Sequence, residues 1–517
     1  MNLGKAVFTI GGWTILSRVT GLVRDSLMAS YLGAGLIADA FAVAFRFPNM
    51  FRALFAEGAF NAAFVPLFTG KLEGEGQEAA RQFAEQVYAV LGVLVLGVVI
   101  VMEIAMPWAI YGLAPGFDDQ PGKIELAADF SRITFPYLLF ISMVSLQSGV
   151  LNAMGRFAAA AGTPVLLNVT SVAVLLALAP YTPTPGHAMA WGVFASGISQ
   201  FLWLLFSMRK VGMSLRWVKP AFTPEVKTLL KRVVPGAVGA GVYQVNVVLN
   251  TVIASGVAQG AVSYLYYAER LNQLPLGIVG IAIGTALLPA LSRQLRAGDR
   301  AAADESQNRA MELGLLLTLP AAFAFAVIAQ PIIALLYEHR SFHAEDTLQV
   351  ARTLTAFSIG LPAYVLIKVV TPSFFARHDT TTPVKAALVS MALNIALNLL
   401  LMRSLQQVGM ALATAAAAWV NFGILVWRLK RLDHFTVDRR LKARIPRILG
   451  ACLAMSAVLY GLKLLLAPLW TENWYLRLLV VGLLVVIGGG SYGAAALLLK
   501  AVVPAELKGM LRRRKAG

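Results

Sequence analysis

Long apolar stretches recur along this chain from residue 5 to about residue 500, and the connections between them are short. A bilayer core about 30 Å thick is crossed by a helix of roughly 20 apolar residues, so each stretch is long enough to span it. Only 14% of the residues are charged, against about a quarter in soluble domains. Lipid cannot satisfy backbone polar groups, and the runs are too long for barrel strands. The sequence therefore predicts an all-α polytopic membrane protein.

The hydropathy pattern predicts about fourteen transmembrane helices. The predicted spans are 5–32, 36–69, 82–112, 128–154, 160–182, 186–209, 226–254, 262–293, 308–337, 347–375, 382–403, 407–430, 444–467 and 474–499.

The net charge of +18 is concentrated in alternate connections between these spans. The basic runs are 209–219, 227–232, 428–447 and the tail 512–515, whereas the opposite connections carry almost no basic residues. This is the positive-inside pattern of a membrane protein rather than a nucleic-acid-binding face. With an even number of spans, it predicts that both termini are cytoplasmic and that nucleic acid is not a partner.

An internal repeat relates the second and eighth spans. Residues 38–46 parallel 262–270, and residues 64–67 parallel 287–290. Six helices per copy give both copies the same orientation, which predicts two six-helix lobes related by a pseudo-twofold axis near the membrane normal. The predicted divisions are an N-lobe at 1–220, a C-lobe at 221–440 and two C-terminal helices with the basic tail at 441–517. Those two helices could form an anchor, an oligomerisation surface or a groove for a lipid tail.

Ionisable residues lie inside the first, second and eighth spans, where a charge at mid-bilayer costs about 2.5–3.5 kcal/mol. They should therefore face a wet cavity or pair with one another. Arginines outnumber the carboxylates, and guanidinium groups suit phosphate oxygens, so the excess indicates an anion site. The candidate substrate-binding residues are Arg18, Arg24, Arg52 and Arg270. The candidates for gating or pairing are Asp25, Asp39, Arg46, Glu57 and Glu269. The alternative is that some arginines snorkel to the interface and the rest form structural ion pairs.

The sequence gives no sign of covalent chemistry. All five histidines lie in or near connections, and Cys452 is the single cysteine, so no metal framework is expected. No Gly-rich nucleotide loop occurs, and Ser17 has no histidine partner for acyl transfer. We expect a transporter without a cofactor rather than an enzyme.

Several segments resemble the MurJ/MviN family of lipid II flippases, in the MOP exporter superfamily. They are Ser17 to Asp25, Ala38 to Phe41, Arg46 to Asn49, Phe51-Arg52, Glu57 to Phe60 and Phe64 to Pro66.

The resemblance implies a flippase of the bacterial cytoplasmic (inner) membrane that serves peptidoglycan biosynthesis and cell shape. Two lobes would alternate between cytoplasm-facing and periplasm-facing states and carry lipid II, an undecaprenyl-diphosphate glycopeptide, to the periplasmic leaflet. It also implies that the four arginines hold the diphosphate in a cationic cavity, that Asp25 and Asp39 orient or gate, and that the last two helices hold the polyprenyl tail. Membrane lipids and enzymes of peptidoglycan synthesis are the partners it suggests.

The resemblance does not extend to a sodium site. Some family members hold sodium with carboxylates on the seventh and eleventh helices, whereas the candidates here are the neutral Asn246, Asn250, Asn394 and Asn398. This argues against a sodium site, although amide oxygens can still contribute to one. The membrane potential is another available driving force, worth about 2.3 kcal/mol per charge per 100 mV.

Three other functions stay open at this stage. A flippase for another polyprenyl-diphosphate glycan, such as an O-antigen unit, would have a similar diphosphate site. A multidrug/cation antiporter of the same superfamily should place carboxylates rather than arginines in its cavity. A non-transporting membrane scaffold is the third.

Overall fold

Helices make up the regular secondary structure of the residues that the computed structural model describes, which are 3–55, 59–470 and 473–503. Within these ranges there is no strand. The helices are α1 (Leu3–Leu32), α2 (Leu36–Phe55), α3 (Ala59–Gly74), α4 (Gln77–Leu113), α5 (Lys123–Thr134), α6 (Tyr137–Ala153), α7 (Phe157–Leu178), α8 (Pro185–Lys210), α9 (Pro224–Ser255), α10 (Ala261–Pro275), α11 (Ile281–Arg296), α12 (Arg300–Tyr337), α13 (Ala344–Phe375), α14 (Thr381–Arg431), α15 (Arg439–Leu465) and α16 (Trp474–Leu498). The basic tail at 512–515 lies outside the described residues.

Many of these helices are suited to a lipid environment. Among the described residues, nine helical segments are long and apolar enough to cross a membrane, with mean hydropathies of 1.5 to 2.7 over their most apolar windows. Large apolar side chains on them point away from the protein: Ile104 is 69% exposed, Leu465 73% and Val486 71%. Such exposure is expected where lipid rather than water covers the surface. The predicted all-α polytopic membrane fold is confirmed, and the count of fourteen crossings stays a prediction.

The predicted gap between the spans 382–403 and 407–430 coincides with a break in α14. Gln406 leaves the helical conformation, with φ 50° and ψ −134°. A straight helix of 51 residues would measure roughly 75 Å, at about 1.5 Å per residue. That is far more than a bilayer core of about 30 Å. The break at Gln406 divides α14 into two pieces of suitable length.

The eighth predicted span contains a break in its regular α-helix. A π-helical segment, Leu276–Gly280, separates α10 from α11. Single π turns inside helices are frequent at functional sites.

The chain divides into two compact units. The first comprises Met1–Ser263 with His339–Phe342, and the second comprises Tyr264–Glu338 with His343–Gly517. In the first unit, α7 packs on α1 and α8, and a core of Phe60, Phe64 and Phe68 joins α3 to α4 and α6. The predicted lobe boundaries at 220 and 440 stay predictions.

In the second unit, α12 packs on α13, α15 and α16. Pro320 lacks the N–H that would bond the Leu316 carbonyl one turn earlier. The hydroxyl of Tyr492 on α16 donates to that carbonyl instead, at 2.7 Å. The C-terminal helices are therefore joined to α12 by a bond that satisfies its backbone.

A buried carboxylate also fixes the start of α15 on α12. Glu312 of α12 is 7% exposed and accepts from Arg440 Nε at 3.1 Å and Nη2 at 3.2 Å. It also accepts from Arg444, which is 7% exposed, and from Arg309. Asp438 caps the N-terminus of α15 through the N–H of Leu441 and pairs with Arg309. One carboxylate thus contacts three arginines at the junction of the two helices.

Glu312→Gln should markedly destabilise the protein. It removes the carboxylate charge that pairs with the buried Arg444 guanidinium, and breaking a buried pair from one side costs about 3–5 kcal/mol. We expect a lower thermal unfolding midpoint of the purified full-length protein in detergent. Glu305→Gln, at an exposed position on the same helix, is the matched control and should leave the midpoint nearly unchanged. Equal midpoints for the two variants would contradict this account of the junction.

Candidate functional site

Arg24 and Asp25 form a buried ion pair on α1. Each residue is 5% exposed, and Arg24 Nη2 and Nε donate to Asp25 Oδ1 at 2.7 and 3.1 Å. The Arg24 guanidinium carbon also lies 5.6 Å from the centre of the Phe45 ring. The pair uses two of the three guanidinium nitrogens, so Arg24 keeps donor capacity for another acceptor. This arrangement keeps a cation inside the first unit at low electrostatic cost.

Two other predicted cations of the first unit each bond a neutral side chain. Arg46 Nη1 donates to Thr251 Oγ1 at 3.1 Å, and Arg52 Nε donates to Asn49 Oδ1 at 3.0 Å. Both arginines are half-buried, as is Arg18. Within the described residues, Arg18 has no hydrogen-bond or ion-pair partner.

Pro48 interrupts the hydrogen bonding of α2 close to these arginines. Because proline has no backbone N–H, the Ala44 carbonyl one turn earlier lacks its helical hydrogen bond. The buried hydroxyl of Thr134 on α5 donates to that carbonyl at 3.1 Å. The irregularity is thus satisfied within the first unit, where it fixes α2 against α5.

Asp39 is fully buried and lies at the centre of a separate network. Its carboxylate accepts from Lys123 Nζ at 2.8 Å, from the Gly260 N–H at 2.8 Å and from the Ser263 N–H at 2.8 Å. The two N–H groups belong to the start of α10, where a negative charge is stabilised by the helix dipole. Asp39 therefore holds α5 and the start of α10 at one point.

Lys123 is the residue of this site that sequence reasoning missed. It is 0% exposed, its ammonium lies 4.1 Å from the centre of the Phe117 ring, and Gln120 Oε1 accepts from it at 3.1 Å. The signal was present in the sequence. Lys123 is a lone basic residue in the acidic connection around Asp118, on the side that otherwise carries almost no positive charge.

In the second unit, α10 carries Glu269 and Arg270. Arg270 Nη2 lies 3.2 Å from the Tyr266 hydroxyl, and its guanidinium carbon lies 4.8 Å from the centre of that ring. Glu269 accepts from Gln273 Nε2 at 3.0 Å. Both charged residues are half-buried, just before the π-helical segment Leu276–Gly280. The cation–π contact with the aromatic ring keeps the guanidinium plane oriented. Glu57, the remaining candidate, lies outside the described residues.

The asparagines considered for sodium are partly bonded to one another. Asn398 Nδ2 donates to Asn394 Oδ1 at 3.3 Å, and Asn394 Nδ2 donates to Thr414 Oγ1 at 3.2 Å. Asn246 and Asn250 lie on α9, in the other unit. Across the part of the chain described, no three His, Cys, Asp or Glu residues cluster as metal ligands would. The expectation of no sodium site stays a prediction.

Comparison with known proteins identifies the family. The family model for the lipid II flippase MurJ matches residues 28–481. A probable lipid II flippase MurJ of Rhizobium meliloti (strain 1021) is 46% identical over 469 residues, which cover 89% of this chain and 86% of that protein. A solved structure of the lipid II flippase MurJ, in an inward closed conformation, aligns with a TM-score of 0.77 and 27% identity, over 95% of this chain and 98% of its own.

A more distant likeness concerns the fold alone. An inward-facing multidrug resistance MATE family transporter of the MOP superfamily aligns over 81% of this chain and 95% of its own. Its TM-score is 0.64 and its identity 16%. The family match, by contrast, begins at residue 28, near the end of α1 and after the Arg24–Asp25 pair, and ends at residue 481 in α16. This chain belongs to the lipid II flippase MurJ family.

Proposed function

We propose that this protein is a lipid II flippase that moves the undecaprenyl-diphosphate-linked peptidoglycan precursor from the cytoplasmic to the periplasmic leaflet. The observation that carries the proposal is the family match over residues 28–481. The protein acts as a transporter without covalent chemistry or a cofactor. It resides in the bacterial inner membrane with both termini cytoplasmic, where enzymes of peptidoglycan synthesis supply and use its lipid.

The substrate's diphosphate is the group that Arg18, Arg24, Arg52 and Arg270 bind in a cationic cavity. Guanidinium groups form paired, charge-assisted hydrogen bonds with phosphate oxygens. Two features of the described residues support these roles: the burial of Arg24 and the tyrosine beneath Arg270. An arriving phosphate would compete with Asp25 for Arg24, so the Arg24–Asp25 pair lowers the affinity of Arg24 for the phosphate.

Transport proceeds by alternating access, with the carboxylates and Arg46 in gating or pairing roles. Asp25 and Glu269 orient the arginines beside them, and Glu57 belongs to the same group by its position in the sequence. Among these residues, a gating role is best supported for Asp39, because its hydrogen-bond partners come from different parts of the chain. Releasing them would free the segment 260–263, immediately before the chain enters the second unit.

The membrane potential supplies the driving force in this proposal. An empty cationic cavity resets toward the cytoplasmic side, which is negative, and each charge moved through 100 mV contributes about 2.3 kcal/mol. Loading with a diphosphate neutralises that charge and removes the bias. Coupling to sodium is not needed for this cycle.

Removing a substrate-binding arginine should reduce the amount of lipid II exposed to the periplasm. A lost charge-assisted hydrogen bond is worth about 1.5–3 kcal/mol, which corresponds to roughly tenfold or more. Arg52→Gln is the cleaner variant because Arg52 is only half-buried, whereas Arg24→Gln also removes a cation from contact with the buried Asp25. Exposed lipid II is measured in cells that depend on this protein, by cleavage with a lipid II-degrading enzyme confined to the periplasm.

Arg209→Gln, on the exposed basic end of α8, is the matched control and should keep wild-type exposure. Arg52→Lys should be intermediate, because lysine retains the charge and loses the planar fork. Wild-type exposure in the Arg24→Gln, Arg52→Gln and Arg270→Gln variants would refute the site. Unchanged exposure after complete inactivation of the protein, in a cell without another flippase, would refute lipid II as the substrate.

The Asp39–Lys123 pair allows gating to be separated from stability. Asp39→Asn and Lys123→Met should each lower the thermal unfolding midpoint, because breaking a buried pair from one side costs about 3–5 kcal/mol. The double variant should recover part of that loss, since no buried charge is left unpaired. Glu78→Gln, which breaks the exposed pair of Glu78 with Arg81, is the control and should change the midpoint little.

The transport readout then decides the role of Asp39. If the carboxylate is part of the gate, the double variant regains stability while exposed lipid II stays low. If Asp39 acts only in folding, exposure of lipid II returns together with stability, and the gating role is rejected.

A further inference from the structure

A cavity of about 390 Å³ opens on the second unit between α12, α13, α14 and α15. Thirteen described residues line it, and nine of these are alanine, valine, leucine or isoleucine. The polar lining consists of Gln330, Thr355, Arg352 and Lys463, with no acidic residue among the thirteen. An apolar wall with two cations and no carboxylate is suited to an amphipathic anion. We call it the Arg352–Lys463 pocket.

The position of Lys463 follows from a proline in α12. Pro331 has no N–H to bond the Val327 carbonyl one turn earlier. The helix bends at Ile328, where φ is −117° and ψ is 20°. Lys463 Nζ donates to the freed Val327 carbonyl at 3.3 Å. The ammonium group is thus tethered at the pocket by a backbone acceptor that carries no full charge.

The positive charge of the pocket has no counterion among the described residues. The bond to Val327 uses one of the three ammonium donors of Lys463. In the part of the chain described, no acceptor or carboxylate bonds the Arg352 guanidinium. Arg352 is exposed and Lys463 is half-buried, so an external anion that contacts both would form charge-assisted hydrogen bonds beside an apolar wall.

The pocket lies at the level of lipid headgroups. Lys463 is close to the end of α15 at Leu465, and Arg352 lies in the third turn of α13, which begins at Ala344. These ends are opposite to the basic ends of α12 and α15, which begin at Arg300 and Arg439. Side chains near helix ends reach the interface rather than the bilayer centre.

From these observations we infer that the Arg352–Lys463 pocket binds one anionic glycerophospholipid of the leaflet opposite the basic connections. The lipid phosphate contacts Arg352 and Lys463. Gln330 and Thr355, in the same lining, face the glycerol and ester oxygens. The acyl chains follow the exposed apolar surface at Ile359, which is 53% exposed. A volume of about 390 Å³ lies near the lower end of ligand pockets, which range over about 300–1,000 Å³. It suits a phosphoglycerol group and is too small for a glycopeptide headgroup. The inference does not depend on the proposed function.

The test is native mass spectrometry of the purified full-length protein in detergent, titrated with phosphatidylglycerol or phosphatidylcholine. We expect the wild type to retain one phosphatidylglycerol at concentrations at least about tenfold lower than those needed for phosphatidylcholine. The Arg352→Gln/Lys463→Gln double variant should lose that preference, because the phosphate then meets only neutral donors. Arg403→Gln removes an exposed arginine of α14 that does not line the pocket, and it should bind like the wild type.

Each outcome supports or overturns the inference. Unchanged phosphatidylglycerol retention by the double variant, or equal retention of the two lipids by the wild type, overturns it. Displacement of the lipid by millimolar inorganic phosphate would indicate a free-phosphate site and also overturns it. A thermal unfolding scan accompanies each variant. If the double variant does not fold, the single variants Arg352→Gln and Lys463→Gln give the same comparison, each with an expected smaller loss of preference.

Discussion

The structure depends on one constraint, which is that a polar group inside a bilayer must find its partner within the protein. Prolines in the spanning helices make this constraint visible, because each removes a backbone donor and leaves a carbonyl unsatisfied one turn earlier. In three cases a side chain from another helix supplies the missing donor. The donors are Thr134, Tyr492 and Lys463, for the carbonyls of Ala44, Leu316 and Val327. Each of these prolines therefore has two effects. It interrupts the hydrogen bonding of its own helix, and it leaves a carbonyl acceptor to which a neighbouring helix bonds.

The same constraint explains how charges are distributed. Arg24 with Asp25, Asp39 with Lys123, and Glu312 with Arg444 are buried ion pairs. Transferring one ion from water into the protein interior costs several kcal/mol. Removing one partner of a buried pair destabilises the protein by about 3–5 kcal/mol. Where compensation is incomplete, as in the Arg352–Lys463 pocket, an anion from outside the chain is the natural complement. Charge accounting thus distinguishes structural ion pairs from groups that can receive a ligand.

Hydropathy alone predicted most of the fold, because lipid imposes a length and a composition on every spanning helix. The predicted spans 160–182 and 186–209 lie within a few residues of α7 and α8, and the gap at 404–406 coincides with the break at Gln406. The cost of intramembrane charge likewise drew attention to Arg24 and Asp25, and the structure places that pair in a buried position. These features are local: a window of sequence contains all the information that they require.

Features that join distant helices could not be predicted in this way. Lys123 is conspicuous as a lone basic residue in a predicted connection, but nothing in its own segment identifies Asp39, on another helix, as its partner. Tyr492 lies in an apolar run, and the sequence does not show that its hydroxyl donates to the carbonyl that Pro320 of α12 leaves free. Helical periodicity tells which residues share a face, but not which helix that face meets. The donors to proline-freed carbonyls and the partners of buried charges therefore become visible only in the folded chain.

The contrast between local and distant partners also supports the division of roles proposed for the carboxylates. Arg24 and Asp25 are neighbours on α1, so their bond does not depend on the position of another helix. In the proposed cycle, such a pair keeps a cation in the membrane until a phosphate competes for it. Asp39 has partners on α5 and at the start of α10, so its bonds persist only while those elements keep their positions. A displacement of a few ångströms would break charge-assisted hydrogen bonds, whose strength requires donor–acceptor distances near 2.8 Å. That dependence on conformation is what the gating role proposed for Asp39 requires, whereas the role proposed for the α1 pair requires a response to the ligand.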